Sequence, residues 1–220
     1  MSQRWSEDLP LRYVKSVPSG RPDDFEMPLV VVMHGRGADA NDLAGLAPEI
    51  DGEYRFLFPN APKAWEAAPG MTFGWTWFEG WPPAGNSFVE SRQLMLDFID
   101  AAVKRYPTPP GKLVIAGFSQ GALVALDVGF RTPHGVAGIV AMSGAIHEAE
   151  LADVHSRRDT KVLVVHGSYD EVIPVNAARR TRMVLEDHGI HPEYHEFPMG
   201  HQVSMESLEV VKKFIDDCLR

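Results

Sequence analysis

Lys112-Leu113-Val114-Ile115-Ala116-Gly117-Phe118-Ser119-Gln120-Gly121-Ala122-Leu123-Val124-Ala125-Leu126 is the stretch on which the reading of the fold turns. Lys112–Phe118 is a short apolar run that reads as a buried strand, and the residues from Gln120 onward read as a helix. Between them stands G-x-S-x-G, the spacing of an elbow that presents a nucleophilic serine at a strand-to-helix turn. So sharp a turn holds the serine in a strained backbone region and pushes its hydroxyl toward solvent. A side chain at Gly117 or Gly121 would strike the neighbouring strand or helix, so both positions call for glycine. The plainer alternative for these five residues is a Gly-rich turn with a capping serine.

Outward from the elbow, strands and helices alternate. Strand-like runs cover 11–17, 28–34, 54–59, 112–118, 136–142, 161–166 and 193–197. Leu29-Val30-Val31-Val32-Met33 and Val162-Leu163-Val164-Val165 are continuous and β-branched, as in strands buried on both faces of a parallel sheet. Helical stretches cover 41–47, 87–106, 120–131, 175–188 and 204–219, with Ser87-Phe88-Val89-Glu90 read as a capping box. Gly189 reads as a helix stop. The expected fold class is α/β, a mostly parallel doubly wound sheet flanked by helices. Residues 61–85, rich in Pro, Gly and aromatics, are too long for an ordinary connection and match no element.

With 220 residues the chain suits one domain with a sizeable core. A net charge of −9 argues against nucleic acid, which needs a concentrated basic surface. The basic clusters Arg157-Arg158 and Arg179-Arg180 with Arg182 stand among acidic residues and read as solvated helix faces. The single cysteine, Cys218, allows no internal disulfide and falls on the apolar face of a helical pattern. The first eight residues lack an apolar core segment, and no stretch approaches a membrane span. A cytoplasmic location without stable membrane insertion is expected.

A serine hydroxyl needs a base to take its proton. In folds with this elbow the partners follow in the order nucleophile, acid, histidine. The strand 161–166 runs into His166-Gly167-Ser168-Tyr169-Asp170-Glu171, which places Asp170 just past a strand end. Asp170 also suits a plain turn, and Glu171 is its nearest rival. Four histidines follow. His188 closes a helix, His191 precedes Pro192 in a turn, and His195 lies in a strand-like run. His201 alone sits in a loop after a strand and before the last helix.

Acyl transfer also needs donors for a developing oxyanion. One is the backbone N–H of Gln120, at the start of the helix after Ser119. His34-Gly35-Arg36-Gly37, at the end of an earlier strand, would present the Arg36 N–H, with His34 holding the loop. The same loop matches the dinucleotide signature G-x-G-x-x-A over 35–40, but the next strand ends at Phe58-Pro59-Asn60 without the acid that would bind a ribose. A calcium loop over Asp39-Ala40-Asn41-Asp42 lacks its glycine and distal glutamate.

These residues resemble the phospholipase/carboxylesterase and acyl-protein thioesterase family of α/β-hydrolases over nearly the whole chain. The resemblance is carried by His34-Gly35-Arg36-Gly37 with Asp42-Leu43, Thr76-Trp77-Phe78, Gly117–Gly121, His166–Asp170 with Val172-Ile173-Pro174, and Gly200-His201. It implies a single α/β-hydrolase domain over 1–220 without a large lid domain. It implies Ser119 as nucleophile, Asp170 and His201 as its partners, and the Gln120 and Arg36 amides as oxyanion hole. Ala122, where eukaryotic thioesterases of the family carry glycine, and Arg36, where they carry an apolar residue, point to the bacterial carboxylesterase branch. Dienelactone hydrolases are similar in outline but use cysteine.

Residues 61–85 hold Trp65, Trp75, Trp77 and Trp81 with Met71, Phe73 and Phe78, a density that can wall an acyl pocket near the active site or pack on the sheet. Trp77, Phe78, Trp75 and Phe73 are the expected substrate-binding residues, with Gly70 and Pro82-Pro83 shaping the loop. Residues 145–160 are short and polar, which suits an open cleft. The expected activity is a serine carboxylesterase on short- to medium-chain acyl esters, working through an acyl-enzyme. Thioesterase or lysophospholipase action on the same triad is the alternative, and a non-catalytic binding module or dinucleotide-binding protein a remoter one. A small-molecule ester is the expected partner, with a homodimer left open; neither cofactor nor metal is called for.

Overall fold

A computed structural model describes residues 2–50, 52–68, 70–81, 83, 85–148 and 159–220. Eight strands form one sheet in the order β1-β2-β4-β3-β7-β8-β9-β10, with β1 Ser2–Ser6, β2 Tyr13–Val17, β3 Leu29–Met33, β4 Arg55–Pro59, β7 Leu113–Phe118, β8 Val136–Met142, β9 Lys161–Gly167 and β10 Glu193–Phe197. From β4 to β10 every pairing is parallel, while β1–β2 and β2–β4 are antiparallel. The polar sequence of β1 offers no apolar period and gave no strand expectation. Pairing with β2, Ser2 opposite Val17 through Ser6 opposite Tyr13, makes it one.

Alternate side chains of the central strands feed two cores. Leu29, Val31, Leu113, Ile115, Ile139 and Val164 face α3 Ser87–Arg105, α4 Gln120–Arg131 and α5 Val175–Asp187. Val30, Val32, Val114, Val140 and Leu163 face α1 Ala40–Ala44, α2 Leu46–Ile50 and α6 Met205–Leu219. Burial on both faces is why these strands read as unbroken β-branched runs. Cys218 is buried on α6, with its thiol pushed up to about 11 by burial, an inert packing residue. Truncating a fully buried aromatic such as Phe98 would cost about 3–5 kcal/mol in transfer and cavity terms.

Three local expectations need correction. The helix over 41–47 is two helices, α1 and α2, because Pro48 in the first turn of α2 lacks the N–H that would continue the ladder from Ala44. Ser87 does not cap α3: Asn86 occupies that position without a side-chain cap bond, the Ser87 hydroxyl accepts the Glu79 N–H (3.1 Å), and Glu90 pairs with Lys63 (2.9 Å). A true capping box forms instead at α6, where Ser204 and Ser207 each accept the other's N–H (3.2 and 2.9 Å).

Residues 61–85 are not one loop. β5 Lys63–Ala68 and β6 Met71–Thr76 form an antiparallel hairpin, and Ala38 bridges to Trp75. Pro69-Gly70 and the alternating Phe73, Trp75 and Trp77 carried that signal in the sequence. Arg179 and Arg180 fork onto Glu196 and Glu148, as expected of a solvated face, while Arg157, Arg158 and Pro82 lie outside the described residues, as does most of 145–160.

Candidate active site

The parallel strands end at one edge of the sheet, where their loops collect the polar residues. Ser119 leaves β7 at φ 56°, ψ −119°, a conformation that L-residues rarely adopt. Its N–H donates to Met142 O (2.9 Å) and locks the elbow onto β8. A Cβ on Gly117 would lie 2.1 Å from Gly121 O, and one on Gly121 would lie 2.2 Å from Met33 O, so only glycine lets α4 start this close to β7 and β3.

His201, in the loop after β10, places Nε2 3.0 Å from Ser119 Oγ and Nδ1 2.7 Å from Asp170 Oδ2. A carboxylate can only accept, so Nδ1 carries the proton and Nε2 faces the hydroxyl with a lone pair. The ring of Phe118 flanks the imidazole at 4.9 Å between centroids. Asp170 Oδ1 accepts the N–H groups of Val172 (2.9 Å) and Ile173 (2.8 Å), which fixes the carboxylate plane. Glu171 is exposed beside it. His188 closes α5 with Nδ1 donating to Val184 O, and His195 pairs with Glu193 on β10. The elbow and its two partners thus come together from β7, β9 and β10.

His34 is buried, donates Nδ1–H to Gly35 O (2.7 Å) and accepts the Ala61 N–H at Nε2 (3.0 Å). Burial lowers its titration to about 4, so it is a neutral strut of the loop. Gly37 N–H donates to Trp75 O (2.8 Å), so the hairpin occupies the turn that a pyrophosphate would need. Asp39 caps α1 by accepting the Asn41 N–H (2.7 Å).

A cavity of about 230 Å³ opens on Ser119 and His201, with Arg36 and Gln120 on one side and Trp81, Val172 and Ile173 as its apolar wall. The four aromatics expected to bind substrate lie elsewhere. Trp77 is fully buried and donates its indole N–H to His34 O (2.8 Å); Phe78 is buried under Trp81. Trp75 stacks with the Arg12 guanidinium, and Phe73 stands exposed on the hairpin against Trp65. Trp81, one of seven large apolar residues in a crowded segment, had no sequence signal that set it apart. Val172 and Ile173 were legible only as a motif, not as a wall.

The sheet order, the elbow and the histidine and aspartate gathered at it define an α/β-hydrolase. Residues 20–219 match the family model described as Phospholipase/Carboxylesterase, and the chain belongs to that family. It is a serine hydrolase of esters or thioesters. It is 28% identical over 211 residues to acyl-protein thioesterase 1 of Saccharomyces cerevisiae, covering 86% of this chain and 92% of that one. It is similar to the crystal structure of esterase PE8 (28% identical, TM-score 0.78, 93% of this chain and 97% of that one). The fold also resembles that of a carboxylesterase from Mesorhizobium loti (18% identical, TM-score 0.80, 97% and 98% covered). No helix among the described residues is long and apolar enough to cross a membrane.

Proposed function

We propose that the chain is a carboxylesterase in which Ser119, His201 and Asp170 act as a catalytic triad on short- to medium-chain acyl esters. One observation carries this reading: the His201 imidazole bridges the Ser119 hydroxyl and the Asp170 carboxylate, at 3.0 and 2.7 Å. Ser119 Oγ attacks the ester carbonyl as its proton passes to His201 Nε2. The tetrahedral oxyanion is held by the backbone N–H groups of Gln120 and Arg36. Collapse expels the alcohol, which takes the proton from His201, and leaves the acyl group on Ser119. Water then attacks, His201 again accepting and returning a proton, and the carboxylic acid departs. Among the described residues neither amide donates to a backbone acceptor, which suits them to that task.

The assigned acyl length is supported by the space: a cavity of about 230 Å³ walled by Trp81 and Val172 suits a short to medium acyl group. A thioester makes the same demands on these groups, so acyl-thioesterase and lysophospholipase action are the same reaction on other substrates. A fluorophosphonate probe should add one label, at Ser119, and p-nitrophenyl esters should be turned over best at short to medium chain length. No label at Ser119 would make the chain a binding module, and a preference for emulsified long-chain triglyceride would overturn the assigned substrate class.

A further inference from the structure

The loop that carries Arg36 and the helix that begins at Gln120 leave different strands, and their amides can stabilise one oxygen only if their spacing is held. We propose that the side chains of Gln120 and Trp77 are positioning residues that set this spacing by tying both elements to a common strut, residues 74–78. The inference rests on the hydrolase reading above.

On one side of the strut stands Gln120. Its side chain is buried, its Oε1 accepts the Trp77 N–H (3.1 Å), and its Nε2 donates to Phe78 O (2.9 Å). The Thr76 hydroxyl lies 2.9 Å from the same Oε1 and 2.8 Å from Phe78 O, and donates to one of them. On the other side the strut grips the Arg36 loop at both ends. The Trp77 indole N–H donates to His34 O (2.8 Å), Gly37 N–H donates to Trp75 O (2.8 Å), and Trp75 N–H donates to Ala38 O (2.9 Å). Ser91 on α3 donates to Trp77 O and pins the strut from below. The approach is close enough that a Cβ on Gly74 would meet Gly37 O at 2.0 Å.

Hydrogen bonds therefore run without a break from the residue that supplies one amide to the residues flanking the other. These bonds lie in a low-dielectric interior, where each is directional and costly to leave unmade. A fully buried tryptophan with its N–H on the oxyanion loop has more to do than fill space, and a glutamine with both ends of its amide occupied is not merely an elbow residue. Neither side chain lies between Ser119 and His201, so neither should affect the proton transfer itself.

The test uses Trp77→Phe and Gln120→Met in the full chain, with Thr76→Val as a milder third variant should either fail to fold. Measured for each are kcat and KM on p-nitrophenyl butyrate, the pH profile of kcat, and the affinity for butylboronic acid, whose tetrahedral serine adduct places an anionic oxygen between the two amides. Each variant should lose about 10- to 100-fold in kcat, somewhat less than removal of a donor outright, with KM within about threefold. Boronate affinity should fall by the same factor as kcat/KM, and the pH profile should keep its midpoint. A merely structural role would lower thermal stability without lowering boronate affinity. Unchanged boronate affinity in the folded variants, or a loss confined to KM, overturns the inference. If instead the wild-type chain neither hydrolyses the ester nor takes a fluorophosphonate label, it is the hydrolase reading that fails.

Discussion

Asp170 Oδ2 faces two histidines but bonds one: His201 Nδ1 lies 2.7 Å away and the Nε2 of His166 3.4 Å away, with the side chains of Asp170 and His166 closed to solvent. His166 Nε2 also donates to Ile173 O (2.8 Å), and burial holds the imidazole below its ordinary titration range, so it is a neutral neighbour rather than a counter-charge. Oδ1 is taken by two backbone N–H groups. The carboxylate thus has three hydrogen-bond donors, two backbone N–H groups on Oδ1 and the His201 Nδ1–H on Oδ2.

That arrangement decides what Asp170→Asn would do. The amide oxygen must stay on the two backbone donors, so the NH₂ turns toward His201 and forces the ring proton onto Nε2. The base then faces Ser119 with a hydrogen instead of a lone pair. We expect kcat to fall by roughly 10⁴-fold with KM little changed. Glu171→Gln, on an exposed side chain, should stay within about twofold on surface-substitution grounds. Steady-state kinetics of the two variants side by side checks the assignment, and equal losses would make Asp170 no more than a turn residue.

Ser119→Gly should make the chain inactive and more stable. At φ 56°, ψ −119° a side chain costs about 1–3 kcal/mol that glycine escapes, less the extra entropy glycine loses on folding. A net gain of about 1 kcal/mol is expected from urea denaturation. A loss of stability would mean that the elbow is unstrained.

Trp81 lines both the serine cavity and a second cavity of about 220 Å³ floored by Leu123 and Ile146. Stacked on Phe78 at 6.2 Å, its side chain borders both. Trp81→Ala should join the two spaces and shift the best p-nitrophenyl ester to longer chains. With ~0.8 kcal/mol available per buried CH₂, the octanoate-to-butyrate ratio of kcat/KM should rise at least about tenfold. A ratio that does not move would place the acyl chain elsewhere.

His34 predicts an acid limb of stability. Its imidazole titrates near 6.5 when unfolded and near 4 when buried in the fold. Above pH 6.5 both states are neutral. As pH falls through that value the unfolded chain takes up a proton that the folded chain refuses, so stability drops until about pH 4. The gap corresponds to about 3 kcal/mol, and His166 adds a change of the same sign. Urea unfolding of wild type and His34→Asn from pH 7 to pH 4 should show a shallower decline in the variant. Parallel declines would remove His34 as the cause.

Much of this architecture is local and therefore legible in one dimension. Unbroken β-branched runs announce strands buried on both faces, and Gly117 and Gly121 announce a turn in which no Cβ fits. Chain order is enough to single out His201 and to bring the acid down to Asp170 or its neighbour Glu171, because strand ends in a parallel sheet bring their loops to one edge. What one dimension cannot carry is pairing and direction. β1 is a strand only because β2 offers it partners. Ser87 looks like a cap yet turns inward to the Glu79 N–H. Trp77 and Trp81 are chemically alike and four residues apart, but the first is sealed under the His34 loop and the second walls the cavity. Which way an indole faces depends on the hairpin's register against Ala38 and on the amide of Gln120. Those contacts join residues 37 to 44 positions apart, so only the folded chain could assign them.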